Sequence, residues 1–133
     1  MPRKEKIHDM FNSIAADYDK LNHIMSLDID KSWRKRALRR ILKSTRDERR
    51  AGREIDEKRR LRSIEVLDVA CGTGDFSIAI AEAMRKIAKG SSDSGKADAM
   101  GHVTGVDLSE GMLEVMKDKV AKAGLEDLIS CET

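Results

Sequence analysis

The sequence predicts an α/β chain: a parallel sheet of about three strands joined by helices and preceded by two N-terminal helices. Three observations carry that prediction. The run Ile64 to Val69 is apolar, too short for a helix and rich in β-branched residues, and it breaks at Gly72 and Gly74 into a turn from which a helix restarts. The run His102 to Val106 repeats the arrangement and is again followed by a helical period. Ahead of both, apolar residues recur at three- and four-residue steps, the period of an amphipathic helix.

The first helix carries the stripe Ile7, Met10, Phe11, Ile14, Tyr18 and Leu21. Asn22 to Asp28 reads as a connection, and Asp30 suits the N-cap of a second helix with Trp33, Ala37, Leu38, Ile41 and Leu42 inward. Tyr18 and Trp33 are expected in the core. Lys43 to Arg62 holds nine Lys or Arg against five Asp or Glu and only two larger apolar residues, which marks a solvated insertion. Within it Glu54 and Lys58, like Asp56 and Arg60, stand four apart with the acid first, each pair adding only about 0.2 to 0.5 kcal/mol to a helix.

The strand Ile64 to Val69 suits burial on both faces of a parallel sheet. Gly72 and Gly74 permit a tight turn and close approach of backbone to a ligand. Asp75 opens the next helix, where an acid complements the positive end of the helix dipole, and Phe76, Ala79, Ile80, Ala83, Met84 and Ile87 follow at helical spacing. Gly90 to Lys96 is a loop by composition. After the second strand, Ser109 caps a helix with Met112, Leu113, Met116 and Val120 inward, Lys117, Lys119 and Lys122 towards its end, and Gly124 in the C′ position. Leu128 to Cys131 begins a third strand. The order predicts right-handed parallel βαβαβ topology.

At 133 residues the chain is one domain's worth of sequence, 40% hydrophobic and 38% charged. No apolar run approaches the roughly 18 residues of a membrane span, and no secretory leader is visible, so a cytoplasmic protein is the expectation. A net charge of +2 and four aromatic residues argue against a nucleic-acid binder. Cys71 and Cys131 lie sixty positions apart and, with three scattered histidines, give no metal-ligand spacing, so no metal is expected. Cys71 has no histidine close in sequence and reads as a packing residue.

The glycine turn, strand-ending acid and helix restart describe a nucleotide-type cofactor loop. A dinucleotide fingerprint requires a third Gly or Ala where Ser77 stands, and Asp75 at the mouth disfavours a pyrophosphate; the Walker pattern is absent. A ligand with a carboxylate, an ammonium and a ribose fits better, and S-adenosylmethionine is one. Asp107, ending the second strand, suits the ribose hydroxyls. Asp68 and Asp75 each suit the cationic amino-acid end, and Leu108 and Met112 the adenine.

Asp68-Val-Ala-Cys-Gly-Thr-Gly-Asp75 followed by Gly105-Val-Asp-Leu-Ser-Glu-Gly-Met-Leu113 resembles motif I and its successor in class I S-adenosylmethionine-dependent methyltransferases. Met10-Phe-Asn-Ser-Ile-Ala-Ala-Asp-Tyr-Asp19, with Leu21-Asn22, Met25-Ser-Leu27 and Ser32-Trp-Arg34, is more restrictive and resembles the N-terminal helices of the ubiquinone/menaquinone biosynthesis C-methyltransferase family. The resemblance implies a Rossmann-like sheet, here incomplete, with residues 1–62 forming a helical lid and charged insertion, and residues 63–133 the N-terminal half of the cofactor domain. It implies methylation of a ring carbon of a polyprenylated quinol at a membrane surface, with Thr73 and Asp107 contacting the cofactor and Tyr18 placed to close over it. The expected cofactor-binding set is Asp68, Ala70, Gly72, Thr73, Gly74, Asp107, Leu108 and Met112.

The family continues past the position of Thr133 with a further adenine-side motif and four more strands, so a fragment is expected, binding cofactor weakly and without turnover, with the first strand's far edge unpaired and no catalytic base assignable. Two other classes remain open at this level: an RNA methyltransferase using Arg46 to Arg62 against phosphates, and a non-catalytic cofactor-binding module. Quinone ring, tail length and oligomeric state are not encoded in these patterns.

Overall fold

The computed structural model describes residues 2–26, 29–50, 65–90 and 101–133. Among them are helices α1 (Pro2–Ser26) and α2 (Ile29–Arg50), then strand β1 (Glu65–Val69), helix α3 (Asp75–Gly90), strand β2 (His102–Val106), helix α4 (Glu110–Ala123) and strand β3 (Ile129–Glu132). The strands are parallel in the order β1-β2-β3, with Val66 beside Val103 and Val103 beside Ile129. The expected α/β architecture with two leading helices is therefore present.

One face of this sheet carries the core. Ile80, Ala81 and Met84 of α3 and Leu113, Met116 and Val120 of α4 close over Val103 and Ile129, with Leu125 and Leu128 completing the cluster. Each of these side chains larger than alanine contributes roughly 1.5–3 kcal/mol by leaving water. The inward residues of α4 follow the spacing expected of them, and its ends are capped as the sequence foretells: the Ser109 hydroxyl accepts from the Met112 N–H, and Gly124 takes the left-handed conformation at φ 64°. Arg85 of α3 adds donors to the Ala123 and Gly124 carbonyls, satisfying the exposed end of α4 from a neighbouring helix.

The opposite face is bare at β1. Leu67 is 65% and Val69 70% exposed, whereas Val66 and Asp68 point towards the helices. Among the described residues helices cover only one side of the sheet and β1 lies at its edge, so the expected burial of this strand on both faces is not met there.

The N-terminal helices also depart from expectation. Asn22 to Ser26 continues α1 where a connection was predicted, and α2 runs through Arg50, so the start of the charged stretch is helical. Of the apolar stripe of α1, Ile7, Met10, Phe11 and Leu21 are exposed and only Ile14 and Tyr18 are partly buried, while the packed side runs along Asn12, Ala15 and Asp19. That side is small and polar because α1 meets α4 and its preceding loop through hydrogen bonds. Trp33, expected in the core, is 67% exposed; α2 instead turns Arg34 and Leu38 inward against α3 and the core. The expectations for Asp30, Ile41, Leu42 and Ile87 as side chains, and for residues 51–64 and 91–100, lie outside the described residues. No helix among the described residues is long and apolar enough to cross a membrane.

Candidate functional site

The loop between β1 and α3 is built as a cradle tied to the end of β2. Ala70 leaves the strand at φ 57°, a left-handed conformation that costs a non-glycine residue about 1–2 kcal/mol. It is held there because the next N–H, of Cys71, bonds the Val106 carbonyl at 3.1 Å. Gly72 follows at φ 59° and donates its N–H to Asp107 Oδ2 at 2.8 Å. The second Asp107 oxygen accepts from the Ser109 N–H at 2.8 Å. One carboxylate thus fastens the glycine loop and the turn leading into α4, and each of its oxygens keeps a further lone pair for another donor.

The two loop glycines serve different needs. A Cβ on Gly74, at φ 83°, would meet Met116 Sδ at 2.7 Å and Cγ closer still, so that glycine is required by packing as well as by torsion. A Cβ on Gly72 would meet nothing within 4 Å. The loop is therefore open at Gly72 and closed at Gly74. Gly105 of β2 is likewise hemmed in, by Met116 Cε at 2.7 Å and Cys71 Sγ at 3.0 Å.

Thr73, between the glycines, is 3% exposed with its hydroxyl turned into the protein, where it donates to Asp19 Oδ1 of α1. Lys119 of α4 reaches the same point, with Nζ 2.6 Å from Asp19 Oδ2, 2.5 Å from Asp75 Oδ1 and 3.2 Å from Thr73 Oγ1. Arg34 of α2 approaches Asp75 Oδ2 at 3.4 Å. Asp75 is therefore matched by two cations, and its charge no longer argues by itself against a pyrophosphate.

The remaining predicted residues divide. Asp68 accepts from Ser77 Oγ at 2.6 Å, which accounts for the serine at the position where a dinucleotide site needs a smaller residue. Leu108 is 85% exposed beside Asp107. Met112 is buried at 2%, so the structure gives its side chain to packing rather than to a surface an adenine reaches. Cys71 is half-buried, and desolvation, reinforced by the Asp68 and Asp107 carboxylates, pushes its thiol up to about 12. Cys71 is thus held protonated, in keeping with its reading as a packing residue. Tyr18 is only partly buried. Among the described residues no group of His, Cys, Asp and Glu could hold a metal ion.

Both halves of the motif, the glycine loop and the acid ending β2, are joined by a hydrogen bond, and the profile of the ubiE/COQ5 methyltransferase family matches residues 2–131. The chain belongs to that family. It is 34% identical over 128 residues to the demethylmenaquinone methyltransferase of Bacteroides fragilis, covering 96% of this chain and 40% of the relative. It is 36% identical over 118 residues to that of Staphylococcus aureus, covering 89% and 36%. For the Listeria monocytogenes enzyme of the same name the identity is 33% over 128 residues, covering 95% and 40%. The chain thus spans about 40% of the length of the curated relatives it matches.

Sequence reasoning missed Asn12, Asp19, Arg34 and Lys119. Lys119 had a readable signal: it lies three residues beyond Met116 on the inward side of α4, an unusual place for a lysine without a partner. Asn12 and Asp19 flank Ala15 at helical spacing, but the stronger apolar stripe beside them drew the assignment.

Proposed function

We propose that this chain forms the methyl-donor side of an S-adenosylmethionine-dependent C-methyltransferase acting on a polyprenylated quinol, of the demethylmenaquinol-to-menaquinol kind. The observation that carries the reading is the 2.8 Å bond from the Gly72 N–H to Asp107 Oδ2, which brings the open point of the loop and the strand-ending acid into one constellation. The residues fit the donor. The space beside Gly72 accepts a ligand against bare backbone, Asp107 retains acceptor capacity for ribose hydroxyls, and Leu108 offers an apolar surface next to it. Asp68, Ala70, Gly72, Thr73, Gly74 and Asp107 would hold the donor, several of them through backbone; Met112 supports the wall from behind.

When bound, the donor supplies an electrophilic methyl group on a sulfonium. The contribution of this chain is to fix that end of the reaction in place, since orienting the reactants accounts for much of the rate of such displacements. The quinol comes from the names of the relatives, which act on demethylmenaquinone, and their names favour it over RNA as acceptor. A lipophilic acceptor favours a working site at a membrane surface; no helix among the described residues is long and apolar enough to cross one.

Titration calorimetry with S-adenosylmethionine and its demethylated product tests the donor assignment. Wild type is expected to bind both, and Asp107→Ala to weaken binding about tenfold or more, the loss of a charged hydrogen-bond acceptor. Absence of binding by wild type at millimolar ligand would overturn the assignment. Methyl-labelled donor offered with a demethylated naphthoquinol and with RNA tests the acceptor: this chain alone is expected to transfer label to neither, and label recovered in RNA would overturn the quinol.

A further inference from the structure

Of the three loop residues Gly72, Thr73 and Gly74, only Thr73 has a side chain by which the protein can hold the turn. Glycines alone would leave the loop many conformations to lose on binding. The Thr73 hydroxyl is engaged both as donor and as acceptor: it donates to Asp19 and accepts from Lys119. Lys119 in turn bridges the carboxylates of Asp19 and Asp75, with Arg34 on the far oxygen of Asp75. These side chains are only 22–28% exposed, so their attractions are screened less than those of surface pairs.

The register of α1 is set elsewhere. Asn12 Oδ1 accepts from the Ser109 hydroxyl at 2.6 Å and the Gly111 N–H at 2.8 Å, and a Cβ on Gly111 would stand 3.0 Å from that same oxygen. Gly111 thus lets the two helices touch. Asp19, two turns and about 10 Å further along α1, is carried to the loop by that anchor.

We infer that Asp19 and Lys119 are positioning residues of the donor site, acting through Thr73 to hold the loop in the shape that presents its backbone to the ligand. The inference rests on the reading of this loop as an S-adenosylmethionine site, and it makes α1 part of the site rather than a cover laid over it. Pre-forming the loop removes an ordering cost from binding.

The test is calorimetry with S-adenosylhomocysteine on the 133-residue chain and its variants, with a thermal melt of each. Asp19→Ala and Thr73→Val are expected to weaken binding about tenfold each, and the double variant no further than either single one, the mark of residues acting as one unit. Thr73→Ser, which keeps the hydroxyl, is expected to restore binding to within about twofold of wild type. Asp19→Asn and Lys119→Met keep side-chain size and provide folded proteins if the alanine variant is lost; both are expected to weaken binding at little cost in melting temperature. Amide hydrogen exchange at residues 72–75 without ligand is expected to quicken in Asp19→Asn. Unchanged affinity in the Asp19 variants, independent multiplicative losses in the double variant, or tighter binding, as if Asp19 had been occupying the ligand's place, would each overturn the inference. Silence from wild type would overturn the donor reading itself and the inference with it, whereas a binding wild type with indifferent variants sinks the inference alone.

Discussion

Alanine at Gly74 and alanine at Gly72 make the same chemical change two positions apart, and the structure assigns them different costs. Both sites have positive φ, 83° and 59°, which penalises a side chain by about 1–2 kcal/mol. Both gain about 0.4–1 kcal/mol from a stiffer unfolded chain. At Gly72 nothing else enters, because its Cβ meets open space, so the net loss is about 1.5 kcal/mol or less. At Gly74 the new methyl drives into Met116, whose side chain is wholly buried in the core, and overpacking of that kind adds about 1–3 kcal/mol. Gly74→Ala should therefore be the less stable by about 2 kcal/mol, a separation of about 1 M in urea midpoint for a domain with a slope near 2 kcal/mol/M. Circular dichroism during urea titration measures it. Ligand affinity should rank the other way among folded molecules, since Gly72→Ala fills the open point of the loop. Urea midpoints of the two variants within about 0.2 M of each other would refute the assignment of Gly74 to packing.

Two further outcomes are expected. Ser109→Ala removes both the N-cap of α4 and the hydroxyl that Asn12 accepts from, and should cost about 1–2 kcal/mol in chemical denaturation, with α1 loosened as well as α4; a loss below about 0.5 kcal/mol would show the cap to be idle. Cys71, with its thiol pushed up to about 12 from an ordinary 9.0, binds a proton in the folded state that the unfolded chain gives up between those values. Its contribution to stability is therefore complete below pH 9 and is lost as pH rises towards 12, and its alkylation should be slow at pH 8 and quicken with each pH unit above it. Rapid labelling of Cys71 at pH 8, read by peptide mass spectrometry, would contradict this.

The strand, turn and cap positions were legible because each is a local matter. Gly72, Gly74 and Gly124 have left-handed backbone conformations that few residues adopt well, Ser109 carries the hydroxyl an N-cap needs, and the inward side of α4 is a clean helical period. What misled was apolar content without knowledge of what covers it. Trp33 and the stripe Ile7, Met10 and Leu21 read as core, yet α1 docks through Asn12, Ala15 and Asp19, a choice made by hydrogen bonds to residues about a hundred positions away. Met112 reads both as an inward residue of its helix and as a contact for the adenine; its burial at 2% accords with the first. Lys119 read as a dipole cation and is instead the centre of a charge cluster, which sequence alone places only if α1, α3 and α4 are already assembled.

The half-covered sheet has a consequence for how this chain behaves in company. Among the described residues no strand pairs with the far side of β1, and there the backbone offers N–H and C=O groups to an extended segment, a pairing blind to sequence. Beside that ladder stand Leu67 and Val69, both open to water, with Glu65 the one charge on their face of the strand. An edge of this kind recruits whatever strand is nearest and most concentrated. Among the described residues, Glu65 is the one charge that guards this edge of β1 against pairing with another copy.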